Sequence, residues 1–429
     1  MIIGISVLLI CVLLFAGVAV PIAFGGVLLF LAYTGGHDVS GFMPTGHWKM
    51  NTVVILVIPL FILAGDIMKN GRIASPIVDL AEMLLGRIRG GLSGASVVAS
   101  AMFGAISGSG AATLTCIGSV MMPHLRKANY PDGFSAALLV AASPLGLLIP
   151  PSSAQLIYAW ITQQSVLKCF LATVVPGIIV ASLLVIINLI MMRKQTDIIL
   201  LEDKEQFVRA FSRKTFIAMP ALMMPVIILG GIYGGIMTPT EAAGVAVLYA
   251  IPIGFFVYRG LTWNVFLDTL KESGVTIGVV MVMIFMVLIV SRFLIFEDIP
   301  GMAEELIFSI SDNPIVVLLM INLTMILIGM IMDDFSGLIL SATLLLPIAK
   351  SVGIDPIHFA AILGVNLGMG NITPPTAPLL FLGARVTGAP VERMLWPTMI
   401  FILFAWMPTL ALTTFIPEVA LWLPELLLG

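Results

Sequence analysis

The sequence predicts an all-helical integral membrane protein built as an inverted repeat, with two re-entrant helical hairpins and two broken transmembrane helices. Three observations predict this fold: the apolar composition, a gapless internal repeat and the distribution of charged residues. Of the 429 residues, 60% are hydrophobic and 10% are charged, and the mean hydropathy is +1.14, whereas soluble domains carry about 25% charged residues. Because one span needs ~20 apolar residues, the chain has room for roughly ten to twelve membrane segments and for no soluble catalytic domain.

The apolar runs are separated by short polar or glycine- and proline-containing breaks. They fall at 2–33, 52–68, 92–125, 134–162, 168–192, 215–235, 242–258, 274–295, 314–349, 357–384 and 394–415. The first run contains Gly17 and Pro21 and forms either one kinked span or two short ones, and the side of its N-terminus stays open. The polar stretches 193–214 and 258–273 are predicted to be interfacial helices, the second as an amphipathic arm.

Two of the runs are interrupted by polar residues at their centres. The run 92–125 contains Ser107-Gly108-Ser109-Gly110, and the run 314–349 contains the segment 332–337, which includes two adjacent aspartates. Each interruption has enough apolar residues on both sides for a half-span. Both runs are therefore predicted to be re-entrant hairpins whose polar tips lie at membrane depth.

Two further runs are broken by adjacent prolines. Pro150-Pro151 lies inside 134–162, and Pro374-Pro375 lies inside 357–384. Two consecutive prolines remove two N–H donors and prevent a continuous helix. Each of these spans is predicted to consist of two half-helices joined by unwound backbone.

These features repeat at a fixed offset of 224 residues without gaps. The hairpin tip 107–112 falls on 331–336, and the two double prolines coincide. The offset also pairs single residues: Pro123 with Pro347, Ala136-Ala137 with Ala360-Ala361, Leu139 with Leu363, Gly146 with Gly370, and Ser152 with Thr376. Apolar composition alone does not place a hairpin, a proline and a double proline in the same order and spacing, so the chain is predicted to contain a duplication.

The charges predict that the two halves are inverted. The first hairpin is flanked by Arg87, Arg89, Arg126 and Lys127, and the second by Asp312, Lys350 and Asp355. By the positive-inside rule, the first hairpin opens to the cytoplasm and the second to the outside. The same rule places the basic loop 193–214 in the cytoplasm. Inverted repeats with helices broken near the midplane are the architecture of secondary transporters.

The four breaks are the predicted site of function, because unwound backbone inside a bilayer persists only where protein, water or an ion satisfies it. Free carbonyls with Ser and Thr hydroxyls suit a small cation, and half-helix N-termini suit a carboxylate. The candidate residues are Ser107, Ser109, Gly110, Gly146, Pro150 and Ser152 in the first half, and Asp333, Asp334, Ser336, Gly370, Thr373 and Thr376 in the second.

Each candidate also has a structural interpretation. The glycines are equally suited to close helix packing, and the serines to capping. Of Asp333 and Asp334, one is a candidate for binding sodium, a proton or substrate hydroxyls, and the other for capping the returning helix. Glu241, in Thr238-Pro239-Thr240-Glu241, favours a capping box over a functional acid. Asp66 is either a functional intramembrane acid or a residue at the interface.

Several other functions are disfavoured. The net charge of -3 gives no indication of nucleic acid as a partner, and the three cysteines are widely spaced in apolar runs. No histidine pair has metal-ligand spacing, so no metal beyond sodium is expected. The N-terminus lacks a basic region and a small-residue cleavage site, which disfavours a cleaved signal peptide. An intramembrane aspartyl protease would need a second aspartate on a facing helix, and the first tip has none; a channel fits paired hairpins less well than alternating access.

The sequence resembles the large membrane subunit of tripartite ATP-independent periplasmic (TRAP) transporters, of the DctM and SiaM type. The resemblance covers nearly the whole chain and rests on FGAISGSGAAT at 103–113, GLLIPPS at 146–152, MTPTEAA at 237–243 and NITPPT at 371–376. It implies a multi-pass protein of the bacterial inner membrane that is not an enzyme. It further implies a sodium-driven, elevator-type importer that works with a small four-helix membrane subunit and a soluble periplasmic substrate-binding protein.

The resemblance also implies a division of the chain. The transport domain would comprise 91–165 and 311–386, each a hairpin with a broken helix. Scaffold and arm helices would occupy 1–90 and 166–310, and 387–429 would form a C-terminal helix.

Applied to these residues, the resemblance places sodium sites at the first tip with the Gly146 to Pro150 break, and at the second tip with the Gly370 to Thr373 break. The implied sodium-binding residues are Ser107, Ser109, Gly110, Gly146, Pro150, Asp334, Ser336, Gly370, Thr373 and Thr376. Substrate would lie near Ser107, Ser152 and Asp333. Family substrates include C4-dicarboxylates, sialic acid and other organic acids. Ala142-Ser143-Pro144 precedes the glycine of the break where many members carry small or glycine residues, which argues against a generic C4-dicarboxylate assignment, and a sugar acid such as sialic acid is the expected substrate. A stand-alone sodium or proton symporter that needs no partners is the alternative.

Overall fold

The computed structural model describes residues 20–35, 41–85, 88–195 and 207–429, with Ile198 and a few positions before residue 20. These residues form helices and connecting turns, and none of them lies in a strand. Gly17 lies in a turn with a positive φ of 79°, and a helix begins at Val20. The rest of the first apolar run, Arg87 and residues 196, 197 and 199–206 of the predicted interfacial segment 193–214 lie outside the described residues. The last part of that segment, 207–214, is the start of the helix Phe207–Tyr233 and not a separate helix.

The helices are numbered in chain order within the described part of the chain. Up to the end of the first repeat they are α1 Val20–Gly35, α2 Phe42–Met50, α3 Val57–Asn70, α4 Ala74–Leu85, α5 Gly91–Ser107, α6 Gly110–Lys127, α7 Asp132–Ala142, α8 Leu145–Leu148 and α9 Ser153–Thr162. The middle of the chain forms α10 Val166–Met192, α11 Phe207–Tyr233, α12 Pro239–Pro252, α13 Trp263–Phe296 and α14 Ile299–Ile310. The rest forms α15 Pro314–Ile331, α16 Asp334–Ser351, α17 Pro356–Gly370, α18 Pro378–Thr387, α19 Val391–Phe401, α20 Met407–Phe415 and α21 Glu418–Leu428.

The predicted membrane class is confirmed by the length and composition of these helices. Among the described residues, eight helices are long and apolar enough to cross a membrane, and a ninth span forms if the bent pair Asp132–Leu148 and Ser153–Thr162 is counted. Four shorter apolar helices, which include α5 and α17, accompany them. Helices too short to span alone are expected in re-entrant hairpins and broken spans.

The repeat predicted from the sequence is visible in the helix boundaries. Helix α5 ends at Ser107 and α15 at Ile331, α6 spans Gly110–Lys127 and α16 Asp334–Ser351, and each pair of boundaries lies 224 residues apart. Gly108 makes the first turn with a positive φ of 60°. Both predicted hairpins are therefore present, with their tips where the polar interruptions fall.

Both predicted helix breaks are also present. The first broken span passes from α7 through the single turn α8 to α9, with a bend of 41°, and the second passes from α17 to α18 through residues 371–377. In each half, a glycine of the hairpin packs on a glycine of the break. A Cβ at Gly104 would lie 2.7 Å from Gly146 Cα, and one at Gly329 would lie 3.2 Å from Gly370 Cα. Side chains on these glycines would separate hairpin and break, which gives close packing as their first role.

Polar side chains join the two repeats to one another. Gln155 Nε2 donates to Ala360 O at 3.1 Å, and Tyr158 OH donates to Pro356 O at 2.6 Å. The buried indole of Trp406 donates to Ala141 O at 3.1 Å. The two broken helices and the C-terminal helices therefore form one hydrogen-bonded core.

The stretch 258–273 is not a separate interfacial arm, contrary to the prediction. From Trp263 onwards it is the first part of α13, a single helix of 34 residues that is ~50 Å long, longer than the ~30 Å hydrocarbon core. Thr262 caps it, and Thr269 and Ser273 bind α3 through Asn70 and Asp66. Because no proline interrupts the stretch, the amphipathic turns continue directly into the apolar span.

The capping box predicted at Glu241 is confirmed at the start of α12. Thr238 N donates to Glu241 Oε2 at 2.7 Å, and Glu241 N donates to Thr238 Oγ1 at 3.3 Å. We expect Thr238→Ala to lower the free energy of unfolding by ~1 kcal/mol, because a helix N-terminus loses its cap. The measurement is the thermal unfolding midpoint in detergent. Thr34→Ala, which removes a hydroxyl bonded only within its own helix, is the control, and equal midpoints for the two variants would contradict the assignment.

Candidate functional site at the hairpin tips

The two hairpin tips face one cavity of about 490 Å³. Hairpin 1 (α5 and α6) contributes Ser107 and Ser109, and hairpin 2 (α15 and α16) contributes Asp333 and Asp334. Helices α3 and α13 form the opposite wall. The remaining lining residues are Phe61, Ile62, Gly65, Asp66, Lys69, Ala111, Ala112, Thr115, Ser153, Thr276, Val279, Val280, Met283, Phe335 and Leu382. The inverted repeat thus places its two polar tips on one side of a shared space.

The first tip gathers oxygen atoms around the start of α6. Ser109 caps this helix, and its carbonyl accepts a hydrogen bond from Thr113 Oγ1 at 2.8 Å. Ser107 Oγ lies 3.1 Å from Thr113 Oγ1. A Cβ at Gly146 would lie 2.8 Å from Ser109 O and 2.9 Å from Thr113 Oγ1, so the first break lies directly behind this oxygen cluster. Hydroxyl and carbonyl oxygens are the ligands that hard cations prefer.

The first tip is fixed to the first break by its backbone. Ser153 Oγ donates to Gly108 O at 2.9 Å, and a Cβ at Gly108 would lie 2.8 Å from Pro151 O. Gly108 has a positive φ of 60°, which a glycine adopts without steric cost. The tip and the unwound segment therefore form a single unit in which only glycine fits at position 108.

The hydrogen bonds at the second tip show which aspartate caps the returning helix. Asp333 is the N-cap of α16, and its Oδ2 accepts from Phe335 N at 3.0 Å and from Ser336 N at 3.5 Å. Asp334 Oδ1 instead accepts a hydrogen bond from Asn371 Nδ2 in the second break. Thr376 Oγ1 donates to Met330 O, so the second tip is also fixed to its break.

Some oxygens at the second tip are left without partners. Asp333 Oδ1 and Asn371 Oδ1 are buried, and neither has a hydrogen-bond partner among the described residues. A buried polar atom without a partner costs about 1–3 kcal/mol. The second tip therefore presents free oxygen ligands beside the Asp334 carboxylate.

The structure divides the sequence-predicted residues into two groups. Ser107, Ser109, Asp333 and Asp334 line the cavity. The remaining candidates lie behind it, in the tips or the breaks: Gly110, Gly146, Pro150, Ser152, Ser336, Gly370, Thr373 and Thr376. Ser152 caps α9, while its neighbour Ser153 lines the cavity.

Sequence reasoning missed several polar residues of the site. Thr113 lies next to the polar motif of the first tip, and Asn371 lies in the polar motif of the second break. Their oxygen-bearing side chains were the signal in the sequence that could have identified them as site residues. Lys69 follows directly after the run 52–68 and has no local pattern that relates it to the hairpins. Asp66, which the sequence left open, lines the cavity and accepts from Ser273 Oγ at 2.7 Å.

Comparison with known proteins identifies the family. The sequence model of the tripartite ATP-independent periplasmic transporter DctM component matches residues 6–419. The chain belongs to this family. The expectation of a transport protein rather than an enzyme is thereby confirmed, because the family consists of transporter permeases. Together with the spanning helices, the family also confirms a multi-pass protein of the bacterial inner membrane.

Three relatives named as TRAP permeases differ in the substrate that their names give. The chain is 34% identical to the sialic acid large permease SiaM of Vibrio cholerae, over 97% of both chains. It is 36% identical to the C4-dicarboxylate large permease DctM of Pseudomonas aeruginosa, over 86% of both chains. It is 34% identical to the isethionate permease DctMQ of Oleidesulfovibrio alaskensis, over 95% of this chain, and spans 64% of that protein's length. Membership of the family therefore does not fix the substrate.

A solved structure supports the fold. The crystal structure of the Alcanivorax borkumensis YdaH transporter, described as having an unusual topology, matches with a TM-score of 0.57. The match covers 88% of this chain and 89% of the other at 15% identity. At this identity the likeness concerns the fold alone, and it agrees with the helical architecture described above.

Proposed function

We propose that this protein is the large membrane subunit of a TRAP transporter that imports a small organic acid, of the sialic acid or C4-dicarboxylate class, together with sodium ions. The observation that carries the proposal is the shared cavity, in which both tips face the wall formed by α3 and α13. An anion and its coupling ions can meet there between the two repeats, as in other inverted-repeat transporters.

Two sodium sites fit the oxygen clusters of the tips. At the first tip the ligands would be Ser107 Oγ, Ser109 O and Thr113 Oγ1, with the backbone from Gly146 to Pro150. At the second, Asp334 and Asn371 would act with the backbone from Gly370 to Thr373. Oxygen-only ligand sets, which at the second tip include the Asp334 carboxylate, suit a small hard cation.

An elevator movement fits the way in which the tips are attached. Each tip is hydrogen-bonded to its own break, and Gln155 joins the two broken helices. On the opposite wall, α3 is hydrogen-bonded to α13 through Asp66 and Asn70. Two bodies on either side of a cavity can slide past one another while each keeps its internal contacts. Such a movement would break the hydrogen bond of 2.6 Å between Ser291 Oγ of α13 and Thr343 Oγ1 of α16.

The partners belong to the same proposal. A small four-helix membrane subunit would extend the wall formed by α3 and α13, and a soluble periplasmic protein would deliver the substrate. The alternative is a stand-alone sodium or proton symporter. Uptake into proteoliposomes distinguishes them, because a TRAP permease requires both the small subunit and the binding protein, whereas a stand-alone symporter requires neither.

The experiment is uptake of sialic acid, succinate and isethionate, each with and without a sodium gradient, in proteoliposomes that contain the partner subunits. We expect one class of organic acid to accumulate only with sodium and only with the binding protein. Uptake that proceeds equally in potassium would contradict sodium coupling, and uptake without the partners would favour the stand-alone symporter.

Removing one hydroxyl at the first tip tests the first sodium site. We expect Ser107→Ala to raise the half-saturating sodium concentration roughly tenfold, because the cation loses one ligand oxygen. The measurement is initial uptake as a function of sodium concentration. Ser119→Ala on α6 of the same hairpin is the matched control, because the Ser119 hydroxyl donates to Cys116 O at 2.9 Å. An unchanged sodium dependence in Ser107→Ala would remove Ser107 from the site.

A further inference from the structure

The cavity wall opposite the tips carries a charge that the proposed sodium sites do not use. Lys69, in the last turn of α3, is the one cationic side chain among the described residues that line the cavity. Three carboxyl groups line it as well, those of Asp66, Asp333 and Asp334. Two of these belong to the second tip, where the proposed coupling cation would neutralise charge. Within the described part of the chain, an organic anion that enters this cavity therefore has one side-chain partner of opposite charge.

The position of Lys69 brings its side chain within reach of the first tip. Helix α3 lies against that tip at Gly65, where a Cβ would lie 3.7 Å from Ser107 Cβ. Lys69 follows Gly65 by four residues, so it lies on the same face of α3, ~6 Å further along the helix axis. A lysine side chain is long enough to bridge such a gap, so a ligand on Ser107 can also contact the ammonium group.

The Lys69 ammonium group is available for a ligand. Within the described residues it forms no ion pair at 4 Å or less, although its charge acts on the Asp66 carboxylate one turn before it on α3. That carboxylate is itself held, because Ser273 Oγ donates to its Oδ2 at 2.7 Å. Asn70 Nδ2 donates to Thr269 Oγ1 at 2.8 Å, which fixes the end of α3 on α13. Lys69 thus lies on a helix that is hydrogen-bonded to α13, and among the described residues its ammonium donors stay free for a ligand.

We propose that Lys69 is a substrate-specificity residue that binds the anionic group of the substrate from the scaffold side of the cavity. The proposal rests on the proposed function, since it names the contact that this cavity makes with its organic acid. The tips bind the ions and the substrate hydroxyls, whereas Lys69 selects for a carboxylate or sulfonate. Lys69 lies on the wall and not on the tips. Its contact with the substrate therefore exists only while the tips face this part of α3.

The test compares Lys69→Gln, Lys69→Arg and Lys350→Gln in proteoliposomes with whichever of sialic acid, succinate and isethionate the wild-type protein accumulates. We expect Lys69→Gln to raise the half-saturating substrate concentration about tenfold, the effect of losing one charge-assisted hydrogen bond. The half-saturating sodium concentration should stay unchanged, and Lys69→Arg should retain near wild-type affinity because the charge is kept. Lys350, exposed in the last turn of α16, is the matched control.

The outcomes separate this inference from the proposed function. If the wild-type protein shows no sodium-dependent uptake of any of the three acids, the proposed function fails. If the wild-type protein transports and Lys69→Gln has the same substrate affinity, only the role of Lys69 fails. Equal impairment of Lys69→Gln and Lys69→Arg, or a matching change in sodium affinity, would show that Lys69 acts on the structure and would also overturn the inference.

Discussion

Asp334→Asn is expected to raise the half-saturating sodium concentration tenfold or more and to abolish measurable uptake at low millimolar sodium. Asp334 Oδ1 accepts a hydrogen bond from Asn371 Nδ2 in the second break, and Asp334 lines the shared cavity. Asparagine keeps the shape of the side chain but removes the negative charge that a bound cation requires. A missing carboxylate ligand lowers the affinity for a hard cation by a large factor.

The measurement for Asp334→Asn is initial uptake over a range of sodium concentrations. Asp355→Asn is the matched control, because Asp355 also stands at the start of a helix, where its Oδ1 accepts from Ile357 N at 2.7 Å, and it does not line the cavity. Wild-type sodium dependence in Asp334→Asn would exclude the second sodium site as proposed. The thermal unfolding midpoint of Asp334→Asn in detergent would show whether the variant has lost its fold.

Gly146→Ala is expected to abolish sodium-dependent uptake by displacing the first tip. The new Cβ would lie 2.8 Å from Ser109 O, 2.9 Å from Thr113 Oγ1 and 3.0 Å from Ser109 C, all shorter than ordinary contacts. Two of these three atoms belong to the backbone, so a change of side-chain rotamer does not relieve the clash. Overpacking of this kind costs about 1–3 kcal/mol, and the proposed cation ligands would move with the tip.

Gly244→Ala is the matched control for this prediction. A Cβ at Gly244 would meet nothing within 4 Å, and alanine is the better helix former by about 1 kcal/mol. Gly244→Ala should therefore keep wild-type uptake and equal or greater thermal stability. Normal sodium-dependent uptake in Gly146→Ala would mean that the first tip and its break do not form the cation site.

The hairpins, the breaks and their repeat could be predicted from the sequence because they depend on local signals. Glycine, proline and serine at 107–110, 150–153 and 374–376 act on the backbone at their own positions, and the helix ends follow them closely. The fixed offset then added a second, independent observation of each feature. The capping box at Glu241 was equally local, and it is confirmed.

The contacts between distant segments could not be predicted in this way. The choice of Asp333 rather than Asp334 as the helix cap depends on backbone geometry at the tip, which two identical adjacent residues do not reveal. The pairing of Asp334 with Asn371 and the approach of Lys69 to the cavity depend on tertiary packing. The continuity of α13 was missed because its first turns are amphipathic. In the structure these turns are hydrogen-bonded to α3 and continue directly into the apolar span.

The most direct test of coupling at the shared cavity is the influx of radioactive sodium that a substrate gradient drives into proteoliposomes containing the permease, its small subunit and the binding protein. If ion and anion bind together between the tips, an inward gradient of the transported acid must carry sodium inward with no sodium gradient present, and Asp334→Asn must abolish this influx. Substrate entry without any accompanying sodium would contradict the account.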